Sequence, residues 1–384
     1  MKCLLTYVIL LLGFNVFAQE NQNKAKQVEL SGYIKHLNAF GFIDRLEQLK
    51  WTSLLHNRLN FKYTLSDAII MRLEFRNRLF YGKSVKNTPD YAELISTDYS
   101  IVDLSWNVID DGNLLFNSTI DRALINYSKG QWDITLGRQR VNWGMNLVWN
   151  PNDIFNTYNF LDFDYEERPG SDAILVQYYF GDFSKVEVTA KKGKDSNDHI
   201  VAIMYKFNKW SYDIQLITGM YQKDWVIGAG WAGNLKNAGF KGEVTYFVPY
   251  ETYLNSENVL SASVSVDYGF KKGLYINCSV LYNSSAGDTT DVTASLLNTN
   301  LSAKNLMPYK YSGFLQLTKT FTPIVSASAN VIYSPTNHSV IVMPNIKYSI
   351  ATNWEIDATE QSFFEFEDYQ TLGNTLFVRL RWSF

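Results

Sequence analysis

Along most of the chain apolar residues recur at every second position, the period of a strand with two unlike faces, rather than at the 3.6-residue period of a helix. The end of the chain shows it plainly: Leu376, Val378, Leu380, Trp382 and Phe384 share one parity, and Thr375, Phe377, Arg379, Arg381 and Ser383 share the other. Val186, Val188 and Ala190 alternate with Lys185, Glu187, Thr189 and Lys191, and Ala262, Val264, Val266 and Tyr268 with Ser263, Ser265 and Asp267. The pattern predicts eighteen strands: 28–40, 51–65, 68–81, 113–128, 131–141, 171–180, 184–193, 198–208, 210–221, 223–233, 237–249, 258–269, 272–283, 308–320, 322–334, 338–349, 352–364 and 373–384. Sixteen is the next count that the pattern admits.

Alternation alone also fits a soluble sandwich. The connections separate the two. Odd-numbered connections carry the long segments, 82–112, 142–170, 250–257, 284–307 and 365–372, while even-numbered ones are tight turns such as Ser66-Asp67, Lys129-Gly130, Gly181-Asp182-Phe183 and Asn208-Lys209. A transmembrane barrel sorts its loops in this way, short on the periplasmic side and long outside, whereas a sandwich has no reason to. The expected fold is therefore all-β: a single antiparallel transmembrane barrel whose first and last strands pair and leave no backbone edge in lipid.

Lys2, the apolar run Leu4 to Phe17 and the sequence Val16-Phe17-Ala18 before Gln19 have the form of an export signal over residues 1–18. The run is too short to span about 30 Å of hydrocarbon as a helix. Residues 19–384 then form the barrel, with 19–27 as a short periplasmic tail and no room for a plug domain, which excludes a TonB-dependent transporter. Composition narrows the class further. The chain of 384 residues is 46% hydrophobic and 15% aromatic but only 19% charged, with a net charge of -3, so no global field favours nucleic acid. Tyr and Trp near strand ends, among them Trp132, Trp210, Trp225, Trp354 and Trp382, fit interfacial girdles.

The ending Phe377-Val378-Arg379-Leu380-Arg381-Trp382-Ser383-Phe384 resembles the C-terminal strand signature of Gram-negative outer-membrane barrels of the porin superfamily. That resemblance implies outer-membrane lipid as surroundings and makes Phe384 and Trp382 the signal read by the barrel assembly machinery. A second stretch, Leu136-Gly137-Arg138-Gln139-Arg140-Val141-Asn142-Trp143-Gly144 followed by Asn150-Pro151-Asn152-Asp153, resembles alginate-export-like porins and implies a diffusion porin.

The chemistry with most information is arginine. Arg45, Arg58, Arg72, Arg76, Arg78, Arg122, Arg138, Arg140, Arg168, Arg379 and Arg381 leave 169–378 without one, although lysines occur there. Closure of the last strand onto the first gathers these residues on one wall. Arg72, Glu74, Arg76 and Arg78 share a parity opposite Met71, Leu73, Phe75 and Leu79, as do Arg58, Asn60 and Lys62 opposite Leu59, Phe61 and Tyr63. An arginine in lipid at midplane costs about 2–4 kcal/mol, so this face belongs to the lumen. Two readings of the row stand open. It selects anions, including uronic-acid saccharides, by bidentate contact; or it neutralises Glu74, Asp121 and other lumen acids and stiffens the wall. The segment 142–170 carries Asp162, Asp164, Glu166 and Glu167; its ordinary place is outside as a solvated loop, and folded inward it would oppose the arginines as a constriction.

Other chemistry is sparse. His36, His56, His199 and His338 share no metal-ligand spacing, and His338 beside Ser339 or His56 beside Ser53 are neighbours that alternation turns to opposite faces. Cys278 shares parity with Ile276, Val280 and Tyr282 and reads as a lipid-facing filler, Cys3 lying in the export segment; Gly228 and Gly230 read as close packing or bending, not as a phosphate cradle. No metal, cofactor or nucleic-acid partner is expected. The expected function is passive, non-enzymatic diffusion of small polar or anionic solutes past Arg58, Lys62, Arg72, Glu74, Arg76, Arg78, Arg122, Arg138, Arg140, Arg379 and Arg381. The rivals are a barrel occluded by its loops that docks or exports surface polysaccharide, and an outer-membrane lipid or peptide hydrolase; the oligomeric state stays open.

Overall fold

The computed structural model describes residues 27–42, 49–98, 100–157, 160–162, 167, 170–194, 198–250, 257–286, 301–366 and 370–384. The expected export signal 1–18 and residues 19–26 of the tail lie outside the described residues, as do Arg45, Asp164, Glu166 and Arg168.

The strands are β1 (Val28–Phe42), β2 (Lys50–Ser66), β3 (Ile69–Gly82), β4 (Ser105–Asp110), β5 (Leu114–Lys129), β6 (Trp132–Gln139), β7 (Ser171–Tyr179), β8 (Lys185–Lys191), β9 (Ile200–Lys209), β10 (Tyr212–Tyr221), β11 (Asp224–Leu235), β12 (Ala238–Pro249), β13 (Val259–Phe270), β14 (Leu274–Asn283), β15 (Tyr311–Thr322), β16 (Val325–Ser334), β17 (Ser339–Ala351), β18 (Trp354–Glu365) and β19 (Gln370–Ser383). All but β4 follow one another around a closed antiparallel wall of eighteen strands. Two short helices, α1 (Lys83–Asn87) and α2 (Tyr91–Ser96), precede β4. Among the described residues no helix is long and apolar enough to cross a membrane.

Closure is made by β1 and β19, in register from Tyr33 opposite Ser383 to Phe42 opposite Asn374. Gly32 and Phe384 complete it by exchanging two backbone hydrogen bonds of 2.9 Å. Any side chain at Gly32 would run into the Arg58 carbonyl. Around this wall the alternation becomes inside and outside. On β13 Val259, Ser261, Ser263 and Ser265 are buried, while Val266 on the same strand, Val280 and Ile227 stand exposed to the surroundings. Aromatic pairs mark both rims of the apolar band, Trp51 with Tyr81 and Trp225 with Tyr250 at the outer rim, Trp354 with Trp382 and Trp132 with Tyr178 at the inner one.

Three local features depart from plain alternation. The expected loop 82–112 contains β4, and the reason is backbone satisfaction. β6 is only eight residues long and pairs with Ala123–Lys129, which would leave the outer half of β5 as an open edge. β4 covers Leu115–Thr119 instead. Second, a bulge between Glu74 opposite Arg122 and Phe75 opposite Ile120 inserts Asp121 into β5. The extra residue turns Asp121 inward beside Arg122. Third, Gly137 adopts φ 117 against the Ala123 carbonyl, a conformation that suits glycine, just where β6 leaves β5.

The two faces predict opposite responses to one added charge. Cys278→Arg, at an exposed outward position of β14, should destabilise the barrel by about 2–4 kcal/mol, whereas Thr318→Arg on the lumen face of β15 should cost little. Denaturant unfolding in lipid vesicles measures the difference; equal costs would contradict the assignment of faces.

Candidate functional site

The basic wall assembles on β19, β1, β2, β3 and β5, where the lumen parity of each strand brings side chains far apart in sequence together. Arg58, 1% exposed, is its centre. Its guanidinium donates to Asp121 at 2.6 Å and Glu74 at 2.5 Å and lies 3.5 Å from Glu167. Arg76 shares Asp121 at 3.4 Å, so the bulge that inserts this carboxylate lets one acid serve two arginines. Arg78 donates to Asn117 and the Ile95 carbonyl, which ties β3 to the last turn of α2. Arg122 donates to the Asp121 carbonyl, Arg379 to Asp357 at 2.7 Å, and Arg381 stacks over Tyr33 at 4.4 Å. Lys35 is wholly buried beside the same Tyr33 ring. Arg72 is exposed and Lys62 reaches Glu29 at 3.0 Å nearer the inner mouth.

Arg138 and Arg140 do not join this row. Arg140 is exposed beyond the end of β6. Arg138 fills the seam where β6 parts from β5: it binds Asp172 at 2.8 and 3.1 Å, Asp98 at 2.7 Å and the carbonyls of Val102 and Ile120. It clamps the segment after α2 against the wall. Burial pushes the Asp98 carboxyl up, but the Ser100 and Leu104 amides, the Ser100 hydroxyl and the Arg138 guanidinium outweigh it and hold Asp98 below the usual carboxylate range.

The segment 142–170 departs from the position its acidic content made ordinary. Its described residues run inward along the lumen face. Trp143 donates to Glu187 on β8 and accepts from Gln215 on β10 at 2.7 Å each. Met145, Asn146 and Asn152 donate their amides to Glu243 on β12. Asn152 sits over Gly228 and Gly230 of β11 with its Oδ1 held by Thr245 at 2.6 Å. Asn146 bonds Ser263 and Ser265 of β13, and Trp149 packs edge-on to Phe314 of β15. Gln361 of β18 reaches the Leu161 carbonyl, and Glu167 returns to the basic wall, accepting from Tyr33 at 3.0 Å. The physical reason for the inward course is complementarity: asparagines, backbone amides and tryptophans of the segment meet serine, threonine, glutamine and carboxylate positions of the lumen at matching places.

A second segment, 301–310, packs beside it, with Ala303, Leu306, Met307 and Tyr309 buried and Lys304 paired to Asp224 at 2.7 Å. Between these segments and the strand ends lies a cavity of about 720 Å³, bordered by Arg76, Lys191, Asp98, Asp121, Asp162 and Asp198. Of the expected constriction acids, Asp162 thus borders the cavity and Glu167 touches Arg58. Glu243 and Asp98 join the lumen contacts without a mark in the local pattern, and Glu187, Lys191 and Asn152 do so from positions where alternation or motif alone gave them no role. A trace was present: Gly228 and Gly230 share lumen parity beside a lone glutamate on the next strand, a slot with an acceptor.

Ser53 meets a histidine, but His36 rather than His56. His36 Nε2 lies 2.8 Å from Ser53 Oγ, which donates its one proton to Asn38 Oδ1 at 2.8 Å. The imidazole is therefore the donor to Ser53, the reverse of what activates a nucleophile. Among the described residues no group of three histidine, cysteine or acidic side chains is placed to hold a metal.

Solved structures share this architecture. Pseudomonas aeruginosa OccK11 (OpdR) superposes with a TM-score of 0.59 at 8% identity, over 93% of this chain and 95% of that one. The chain has the fold of the outer-membrane porins. Acinetobacter baumannii OccAB4 gives 0.59 at 10% identity, covering 95% of this chain and 100% of its own, and Pseudomonas aeruginosa OpdQ gives 0.59 at 8%, over 94% and 99%. No family model and no curated sequence matches the chain. With identity this low, the porin fold is kept by face alternation and closure rather than by shared residues.

The Asp98 contact predicts a pH dependence. A carboxyl lowered on folding contributes stability above its unfolded value of about 3.9 and loses it as pH falls through the lower, folded value. Hydrogen exchange of residues 97–105 should therefore stay slow at pH 5 and quicken in strong acid; Asp98→Asn should be loose throughout. An acid response identical in Asp98→Asn would refute the assignment.

Proposed function

We propose that the barrel is an outer-membrane porin, a non-enzymatic channel for passive diffusion of small polar solutes that favours those carrying carboxylate, phosphate or sulfate groups, uronic-acid saccharides among them. The observation that carries this reading is the placement of Lys35, Arg58, Arg76, Arg78, Arg122, Arg379 and Arg381 together on one inner wall, which the inward segment reaches through Glu167. Among the described residues Glu74, Asp121, Glu167 and Asp357 pair with groups of this wall. The pairing has its own use. Guanidinium groups held by Asp121 and Glu74 keep their orientation, and the reduced net charge lets an anion leave again, as permeation requires.

The burial of Trp143, Trp149, Asn152 and Phe155 within the lumen favours a second reading, a barrel closed by its own loops that docks surface polysaccharide. Planar-bilayer recording of the refolded protein in a salt gradient separates the two. The porin reading expects steady conductance with an anion-side reversal potential that Arg76→Ala and Arg379→Ala move toward cations. Cation preference untouched by both variants would sink the anion assignment, and a folded but silent barrel would favour docking.

A further inference from the structure

The lumen wall between β7 and β18 carries no arginine in its sequence, yet one charged group is buried on it with an unusual set of partners. Glu243 is 1% exposed. Its Oε1 accepts the amides of Met145 at 2.5 Å and Asn146 at 2.7 Å, and its Oε2 accepts that of Asn152 at 2.9 Å. Among the described residues no ion pair reaches it; its charge is balanced by backbone dipoles of a segment about a hundred positions away. A buried carboxylate needs such compensation, and successive amides converging on it act as an anion nest. The wall beside it is shaped to the same segment. A Cβ at Gly230 would come within 2.8 Å of Asn152 Nδ2 and 3.0 Å of Met145 Sδ, and one at Gly228 within 3.1 Å of Asn152 Oδ1. Thr245, two residues on from Glu243 and on the same face, holds the Asn152 side chain.

We propose that Glu243 is the positioning residue that latches residues 145–152 across the lumen and thereby sets the aperture of the channel. The dependence is mutual: the segment satisfies the carboxylate, and the carboxylate fixes the segment at both ends of its turn, through Oε1 at Met145 and Asn146 and through Oε2 at Asn152. Between Met145 and Asn152 the other contacts are to neutral groups, each weaker than a hydrogen bond to a charge, while Trp143 and Phe155 on either side are held separately by Glu187 and Lys191. Loss of the carboxylate frees three amides together, so the turn lifts as a unit. The aperture part of the assignment rests on the porin reading; the latch does not.

The test compares wild type, Glu243→Ala, Glu243→Gln and Gly230→Ala in lipid, by hydrogen exchange of peptides within 143–156 and by single-channel conductance. Glu243→Ala should speed exchange there by about tenfold or more, leave β13 to β19 protected, and raise conductance. Glu243→Gln keeps one acceptor oxygen, so it should hold one end of the turn and fall between. Gly230→Ala should loosen the turn with the carboxylate intact. If Glu243→Ala does not fold, the other two variants carry the test alone. Unchanged exchange in the variants that fold overturns the latch. Faster exchange with wild-type conductance overturns the control of aperture. A silent wild type defeats the porin reading by itself, and exchange still decides the latch.

Discussion

A strand wall in lipid has no water to satisfy its backbone, so every peptide group within the apolar band must find a partner in the chain itself. This constraint fixes the rest of the molecule. It demands the pairing of β1 with β19 and the reciprocal bonds between Gly32 and Phe384, and it excludes a side chain at Gly32. It also explains β4: the short β6 leaves part of β5 uncovered, and the chain returns to cover it. Once the wall is closed, each residue is either inside or outside, and the apolar or polar character of the sequence follows from that choice.

Inside the barrel a second constraint operates. The lumen is narrow enough, with two segments folded into it, that its charges are largely removed from water and must be compensated nearby. On the basic wall compensation comes from carboxylates, with Asp121 placed by a β-bulge to serve both Arg58 and Arg76. On the opposite wall it comes from backbone amides converging on Glu243. The two solutions have different consequences. Ion pairs between wall strands stiffen the wall and leave its shape unchanged, whereas an anion held by amides of a crossing segment joins the wall to the element that occupies the lumen.

Much of this was legible in the residues. Alternation in Leu376 to Phe384, the sorting of loops by parity and the shared parity of Arg72, Arg76 and Arg78 needed no coordinates, because strand period and the cost of charge in lipid are local rules. The strand count followed for the same reason, with β4 missed because a six-residue strand inside a long polar stretch has no distinctive period. Arg138 was drawn into the row by its neighbours in sequence, yet Gly137 redirects the chain there and the side chain joins Asp98 and Asp172 in a seam. The pairing of Ser53 with His36 was likewise hidden, since it depends on the register of β1 against β2.

The sequence by itself determined the class of fold, the alternation of faces along regular strands and the gathering of the arginines of β2, β3 and β19 on one side of a closed wall, because these depend on periodicity and on the sign of transfer free energies. Tertiary structure alone decided which way the long segments turn. A loop rich in asparagine, tryptophan and acid is at home in water or in a polar lumen, and the choice rests on whether the wall offers Glu243, Gln215, Thr245 and a glycine slot at matching positions. Such complementarity belongs to the relative placement of strands far apart in the chain, which no local pattern records.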